Sequence, residues 1–287
     1  MNKKTFDVIL RQNVVNTDSS AVFGYAWNDR NYSDYYREDV FKKFADGMER
    51  EYPQHYQKYI RGKGSELKPN GDHPPKMASV GSSSRFCYLA FRNYDSVEFE
   101  HACPIDGIKG GTPPQMDAYF FGENIFAEVK CHEIFDSHKI ELSAQYRNLL
   151  FCPNNDFGFP CLPADSNVPF TISGSAFGLR DAQTLVDIKQ LLCHLLGIRS
   201  HKKPDEDATL LYLFFWPKVK DPLQKSALEM LFSALQAEIC TVFGGPQSPI
   251  RKFAEKNRVK LVAVAQYAEV MSPLTTENTV HLFPKQA

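Results

Sequence analysis

The chain carries no excess of charge of either sign. Its 33 Lys and Arg against 34 Asp and Glu leave a net charge of -1 and a pI near 6.7. A protein basic over its whole surface is thereby excluded, so any grip on phosphates has to come from local patches. No apolar run approaches the roughly 18 residues that a membrane span needs, and no membrane contact is expected. Met1-Asn-Lys-Lys leads to Asp7 and Arg11 rather than to an apolar stretch, so no secretory signal is expected either. The seven cysteines form no CxxC pair. An odd, scattered set argues against a disulfide framework and for reduced thiols in a cytoplasmic protein. There is no GxSxG elbow, no HExxH helix, no Walker A loop and no Rossmann glycine fingerprint, which removes several enzyme classes. Internal repeats and low-complexity tracts are absent as well.

What remains is an ordinary globular composition, 43% hydrophobic and 23% charged over 287 residues, enough for one large domain or two small ones. Thr5-Phe-Asp-Val-Ile-Leu is open between strand and helix. From Ser33 the spacing of Val40, Phe44, Met48 and Tyr52 predicts a helix ended or kinked by Pro53, with a second helix to Gly62. The tyrosines here (Tyr32, Tyr35, Tyr36, Tyr52, Tyr56 and Tyr59) are read as packing rather than as a stacking surface for bases. Residues 62–81, rich in Gly, Pro and Lys, read as an exposed loop. Residues 1–80 are thus expected to be an N-terminal helical extension packed on a core of residues 81–287.

In that core Ser82, Ser83 and Ser84 offer caps for a short helix, and Val97-Glu-Phe-Glu-His-Ala alternates as a strand. A Gly/Pro-rich loop, 107–114, leads to the next strands. Further on, the pattern predicts a helix over Lys139–Leu150, a surface loop over 151–177 and a helix over Arg180–Leu196 stopped by Gly197. A covered strand over Ala208–Trp216, a helix over Leu223–Phe243 and a last strand over Val259–Tyr267 complete the chain. The order implies an α/β or α+β fold with a central mixed sheet flanked by helices.

The stretch Asp117–Lys130, D-A-Y-F-F-G-E-N-I-F-A-E-V-K, reads as two antiparallel strands joined by Gly122-Glu123-Asn124. Glu128 and Lys130 share one face of their strand and Val129 points to the other. Asp117 joins them only if it stands opposite Glu128 or Lys130; a one-residue slip onto Val129 sends it away. Two converging carboxylates repel unless a cation lies between them, which calls for a hard divalent ion such as Mg²⁺. The bland alternative is a cross-strand salt pair worth about 0.2–1 kcal/mol, against which the neighbouring residues 118–121 and 125–127 are nearly all apolar.

Asp117, then Glu128-Val-Lys130, within this element order, resembles the core of the PD-(D/E)XK nuclease superfamily, the restriction-endonuclease-like fold. Ser82-Ser-Ser-Arg-Phe-Cys-Tyr-Leu-Ala-Phe, the strand at 97–101, Glu133 after the E-x-K, and Gln190-Leu-Leu-Cys-His-Leu-Leu-Gly resemble a bacterial, uncharacterised subfamily within it. Together they cover about residues 80–217. The resemblance implies a Mg²⁺-dependent nuclease, with Mn²⁺ as a substitute, acting on nucleic acid, with DNA the expected substrate. It implies Asp117, Glu128 and the Val129 carbonyl as metal ligands and Lys130 as the catalytic lysine. An upstream acid completes the set, carried to Glu100 first and Glu98 second. Position 116 is Met rather than the Pro that names the motif. Glu133, Gln145 and Gln190 are candidates for supporting or phosphate-contacting roles, and His194 lies one turn from Gln190. Cys131 and His132 have no partners at zinc spacing and read as a packed thiol and a surface imidazole. Phosphate-gripping candidates are Arg61-Gly-Lys63, Lys68, His201-Lys-Lys and the group Arg251, Lys252, Lys256, Arg258 and Lys260. Double-strand cutters often pair two active sites, so a homodimer belongs to the same expectation. The rival reading is a non-catalytic nucleic-acid-binding or structural protein on the same scaffold.

Overall fold

The computed structural model describes residues 1–62, 64–136, 138–160, 168–179 and 184–283. Expectations resting on Lys63, Arg180 and residues 161–167 lie outside the described residues. The chain opens with helix α1 (Lys3–Thr17), a hairpin of β1 (Phe23–Trp27) and β2 (Arg30–Tyr36), and helices α2 (Glu38–Glu51) and α3 (Pro53–Arg61). Helix α4 (Ser83–Phe91) and strands β3 (Val97–Ala102), β4 (Gln115–Phe120) and β5 (Ile125–Lys130) follow. A two-residue pair, β6 (Glu141–Leu142) and β7 (Phe170–Thr171), brackets the single turn α5 (Arg147–Leu150). The rest is α6 (Ile188–His201), β8 (Ala208–Pro217), α7 (Pro222–Gly244), α8 (Pro249–Lys256), β9 (Val259–Ala268) and β10 (Thr279–His281).

Six strands make the central sheet in the order β10-β9-β8-β5-β4-β3. β5, β8 and β9 run parallel and the other neighbours antiparallel, so the fold is mixed α/β. Parallel neighbours need a crossover, and α6 lies between β5 and β8 in the chain as α7 and α8 lie between β8 and β9. α4 covers one sheet face, where Phe86 meets Phe215 edge-on at 5.1 Å. α7 covers the other, placing Phe243 against Tyr212 and Phe232 against Trp216. Its length and apolar composition would also suit a membrane span, yet Leu228, Leu235, Ile239, Val242 and Phe243 are buried against the protein. The buried apolar residues form one cluster reaching from Phe6 to Phe283.

Several elements differ from the sequence expectation. The N-terminal part is not all helix: Thr5–Leu10 is helical, but Ser33–Tyr36 belongs to β2. The reason is the turn at Asn28 and Asp29, both with left-handed φ (49° and 59°), which closes a two-residue hairpin. Segment 62–81 is exposed only in part: residues 68–73 face solvent as expected, but Glu66, Leu67, Met77, Ala78 and Val80 are buried. The helix expected over 139–150 shrinks to α5 behind the β6 strand. The described part of 151–177 is not wholly a surface loop: Phe151, Phe157, Phe159, Ile172 and Phe177 are buried, and Phe157 stacks on Phe253 at 4.3 Å.

Gly197 lies inside α6 rather than ending it. The helix passes so close to Cys103 that a Cβ at this position would stand 2.8 Å from both the Cys103 Cβ and its carbonyl oxygen. In an open helix Gly→Ala stabilises by about 0.5–1 kcal/mol, but overpacking against backbone costs about 1–3 kcal/mol. The clash wins, and Gly197→Ala is expected to lower the urea midpoint.

Candidate functional site

The ladder between β4 and β5 pairs Phe120 with Ile125, Tyr119 with Phe126 and Ala118 with Ala127. Extended by one residue, that register sets Asp117 opposite Glu128 and not Val129. The Asp117 carboxylate accepts the Val129 N–H at 2.7 Å, so a side chain takes over the bond that the strand backbone would have supplied. On β5 the alternation puts Glu128 and Lys130 on the face toward α6 and buries the Val129 side chain on the other. The Lys130 ammonium donates to Glu128 at 2.6 Å and to the Gln190 amide oxygen of α6 at 2.6 Å. Glu128 is 3% exposed, and its second oxygen, Oε2, is buried without a hydrogen-bond partner. His194, also on α6, comes within 3.6 Å of that oxygen. Burial pushes the His194 imidazole below its ordinary pKa against the pull of Glu128, so it remains neutral at neutral pH and does not discharge the carboxylate.

These groups line a cleft of about 560 Å³ together with Glu100, Gln115, Glu133, Glu66, Lys76 and the Gly81–Ser84 turn into α4. Burial, then the charge of Glu128, pushes the Asp117 carboxyl well above its ordinary range while Lys130 pulls it back. Burial, then Glu66 and Glu128, pushes Glu100 up to about 7 against Lys76 and Lys58. Burial alone would lower the Lys130 pKa, but Glu128, Glu133 and Asp117 outweigh it and hold the ammonium above its usual value. Lys130 is therefore a fixed positive charge and no proton acceptor. The cleft as a whole holds more carboxylate than ammonium, and burial, with repulsion between neighbouring acids, raises the carboxyls of Glu66, Glu100 and Asp117.

The expected site residues divide as follows. Asp117, Glu128, Lys130, Gln190 and Glu133 come together; Glu133 accepts the Cys131 N–H at 2.7 Å and so braces the turn after β5. Glu100 lines the same cleft, and β3 is distorted there. Glu100 has a left-handed φ of 51°, and the ladder to β4 passes from Phe99 to His101 without pairing it. A non-glycine residue in that region costs on the order of 1–3 kcal/mol, which the surrounding structure has to supply. Glu98 is not in the cleft: it pairs with Lys58 and accepts from His101 at 2.9 Å. Gln145 is also elsewhere, its side-chain oxygen holding the Lys109 N–H at 3.0 Å. Among the C-terminal basic residues, Arg251, Lys256 and Arg258 are bound in ion pairs to Glu255, Asp156 and Asp207, while Lys252 reaches the Gln247 side chain.

Glu66 and Asp7 are among the cleft residues that escaped the sequence reading. Glu66, 5% exposed, sits inside what looked like a solvated loop; burial raises its pKa against a hydrogen bond from Ser84 and the charge of Lys76. Asp7 reaches in from α1, with no local signal in the sequence to suggest it.

A divalent cation suits this donor set. The Glu128 Oε2, buried without a hydrogen-bond partner, and the opposed Asp117 carboxylate are hard oxygen ligands whose mutual repulsion a cation would offset. Among the described residues no three His, Cys, Asp or Glu side chains are gathered into a ready ligand group, so Glu100 does not complete a three-carboxylate set. Two protein carboxylates with water in the remaining positions is the coordination Mg²⁺ prefers, whereas Ca²⁺ or Zn²⁺ would ask for more. Comparison of the chain with protein-family models, with curated proteins and with solved structures found no match to any of them.

Proposed function

We propose that the chain is a Mg²⁺-dependent nuclease with a restriction-endonuclease-like core, hydrolysing phosphodiester bonds of DNA. One observation carries this reading. A lysine and two carboxylates from neighbouring strands are buried side by side at the end of β5, at the foot of an open cleft, with one carboxylate oxygen unpaired. Leaving a buried carboxylate oxygen without a donor costs about 1–3 kcal/mol even though the Lys130 ammonium pairs with the other oxygen, and a purely structural role offers no return for it. A metal held by Asp117 and Glu128 would supply an acidified water and offset charge on the phosphoryl oxygens. Lys130, kept protonated and aimed by Glu128 and Gln190, would donate to the phosphate as negative charge develops on it. Gln190 fixes the direction of the ammonium, and Glu133 holds the turn that follows it.

The direct test is incubation of the purified protein with DNA and with RNA in Mg²⁺, Mn²⁺ or EDTA. Metal-dependent cleavage of DNA is expected. Binding of nucleic acid without cleavage and without metal uptake would favour the non-catalytic reading instead.

Stability supplies a second, substrate-free check. Glu100 titrates at about 7 in the folded state against 4.5 ordinarily, so between those values the folded chain holds a proton that the unfolded chain has lost. This contribution to stability therefore falls as pH rises through that window, and the penalty is complete above about pH 7. A cation that offsets the repulsion gains most where the acids are ionised. Mg²⁺ at tenfold excess over Kd is expected to add about 1.4 kcal/mol, or about 2–5 °C in Tm, at pH 8. At pH 5 the increment is expected to be smaller, and equal shifts at both pH values would count against a carboxylate cation site.

A further inference from the structure

Just beyond the E-x-K strand, His132 stands in the same cleft and is held from two sides. Its Nδ1 lies 2.9 Å from the carboxylate of Asp7, a residue of α1 that is itself only 6% exposed. On another side the backbone at Gly81 comes so close that a Cβ there would lie 2.1 Å from His132 Nδ1. The ring therefore packs on the turn that opens α4, where only glycine leaves it room. Lys3 of the same helix pairs with Asp136 at 3.1 Å, pinning α1 a second time to the segment after β5.

A carboxylate oxygen accepts only, so in the neutral imidazole the Nδ1 facing Asp7 is the nitrogen that carries the proton and Nε2 is the one with the lone pair. Nε2 has no hydrogen-bond partner among the described residues and belongs to a ring that lines the cleft. A buried carboxylate behind an imidazole, with the far nitrogen free and a fixed ammonium two residues away, is the arrangement of a general base and its orienting group. Lys130 cannot take this part because it is kept protonated.

Resting on the nuclease reading, we propose that His132 is the proton acceptor for the attacking water and that Asp7 is its positioning residue. The water oxygen forms a bond to phosphorus and the bond from phosphorus to the leaving deoxyribose oxygen breaks. The water proton passes to His132 Nε2, the resulting imidazolium is stabilised by Asp7, and the departing oxygen takes its proton from solvent water. Other charged groups around the ring are Lys3 on α1, Asp34 on β2, Glu66 and Lys76 from segment 62–81, and Lys130 and Glu133 at the end of β5. Glu100 titrates in the same cleft, but it remains in a His132 variant, so any limb it contributes is common to both proteins.

The test compares pH–rate profiles of the wild type, His132→Gln and Asp7→Asn at saturating Mg²⁺ and DNA, and reads the imidazole tautomer by ¹⁵N NMR of the metal-free protein. His132→Gln is expected to lower kcat by about 10²-fold or more and to lose an acid limb in the histidine range. Asp7→Asn is expected to lower kcat with KM little changed and to shift the ring away from its Nδ1–H tautomer. Wild-type cleavage with superimposable profiles in His132→Gln would overturn this proposal alone, as would a ring found in the Nε2–H tautomer. Failure of the wild type to cleave any nucleic acid would overturn the nuclease reading and this proposal with it.

Discussion

Lys130→Met is expected to reduce metal-dependent cleavage by about 10²–10³-fold, the usual loss when one preorganised donor to a developing oxyanion is removed. Methionine keeps the length and apolar stem of lysine, so the change isolates the charge. It also strands Glu128, 3% exposed, whose Oε1 now has the ammonium at 2.6 Å. Breaking a buried pair on one side costs about 3–5 kcal/mol if the remaining charge persists. Glu128 can escape part of that cost by taking up a proton, so the destabilisation should be larger at pH 8 than at pH 5. Melting curves at the two pH values separate this loss of stability from the loss of catalysis. Because Lys130 is held protonated through the working range, its removal should lower the whole pH–rate profile without moving the acid limb. A Lys130→Met enzyme with undiminished kcat would remove lysine from the mechanism.

The strands around the site were readable because their period-two patterns are strong and their neighbours apolar. β3, β4 and β5 begin or end within two residues of the expected positions, while of the registers the pattern left open, Asp117 opposite Glu128 or Lys130, the ladder selects Glu128. α2 and α3 were readable for the same reason with a period of 3.6, and Pro53 opens α3 as the chemistry of proline dictates. What was missed depends on long-range contact. Glu66 lies in a Gly/Pro/Lys-rich segment whose composition says loop, and only tertiary packing shows that Glu66 and its neighbour Leu67 are buried. Asp7 lies in a helix 125 residues from His132, a pairing that no local pattern encodes. Gly197 followed a run of apolar residues and so looked like a helix stop, when in fact the close approach of Cys103 demands it. Gln145 was placed by the expectation of a continuous helix over 139–150; with that helix reduced to one turn, the side chain serves the 107–114 loop instead. The hairpin at 23–36 was hidden because its Asn28-Asp29 turn lacks the glycine that usually marks such turns.

Asp117→Asn should separate the two readings of the site most cleanly, because they predict opposite signs for stability. If the carboxylates form only a structural salt cluster, the amide loses attraction to Lys130 and the protein weakens. The electrostatics point the other way: burial, Glu128 and Glu100 push the Asp117 carboxyl toward its neutral form, against the pull of Lys130 and of the Val129 N–H. Asparagine keeps the shape and an oxygen acceptor for the Val129 N–H, now bound at 2.7 Å, while removing one of the repelling charges. In EDTA at pH 8 the variant is therefore expected to be more stable by about 1 kcal/mol, read as a Tm rise of about 2–4 °C. The same substitution removes a hard anionic ligand, so the Mg²⁺-induced shift should disappear and cleavage should fall by about 10²-fold or more. Higher stability without metal, no response to metal and lost activity form one signature of a site that holds strain for function. A variant less stable in EDTA, with an intact Mg²⁺ response, would show instead that Asp117 is there to hold the strands together.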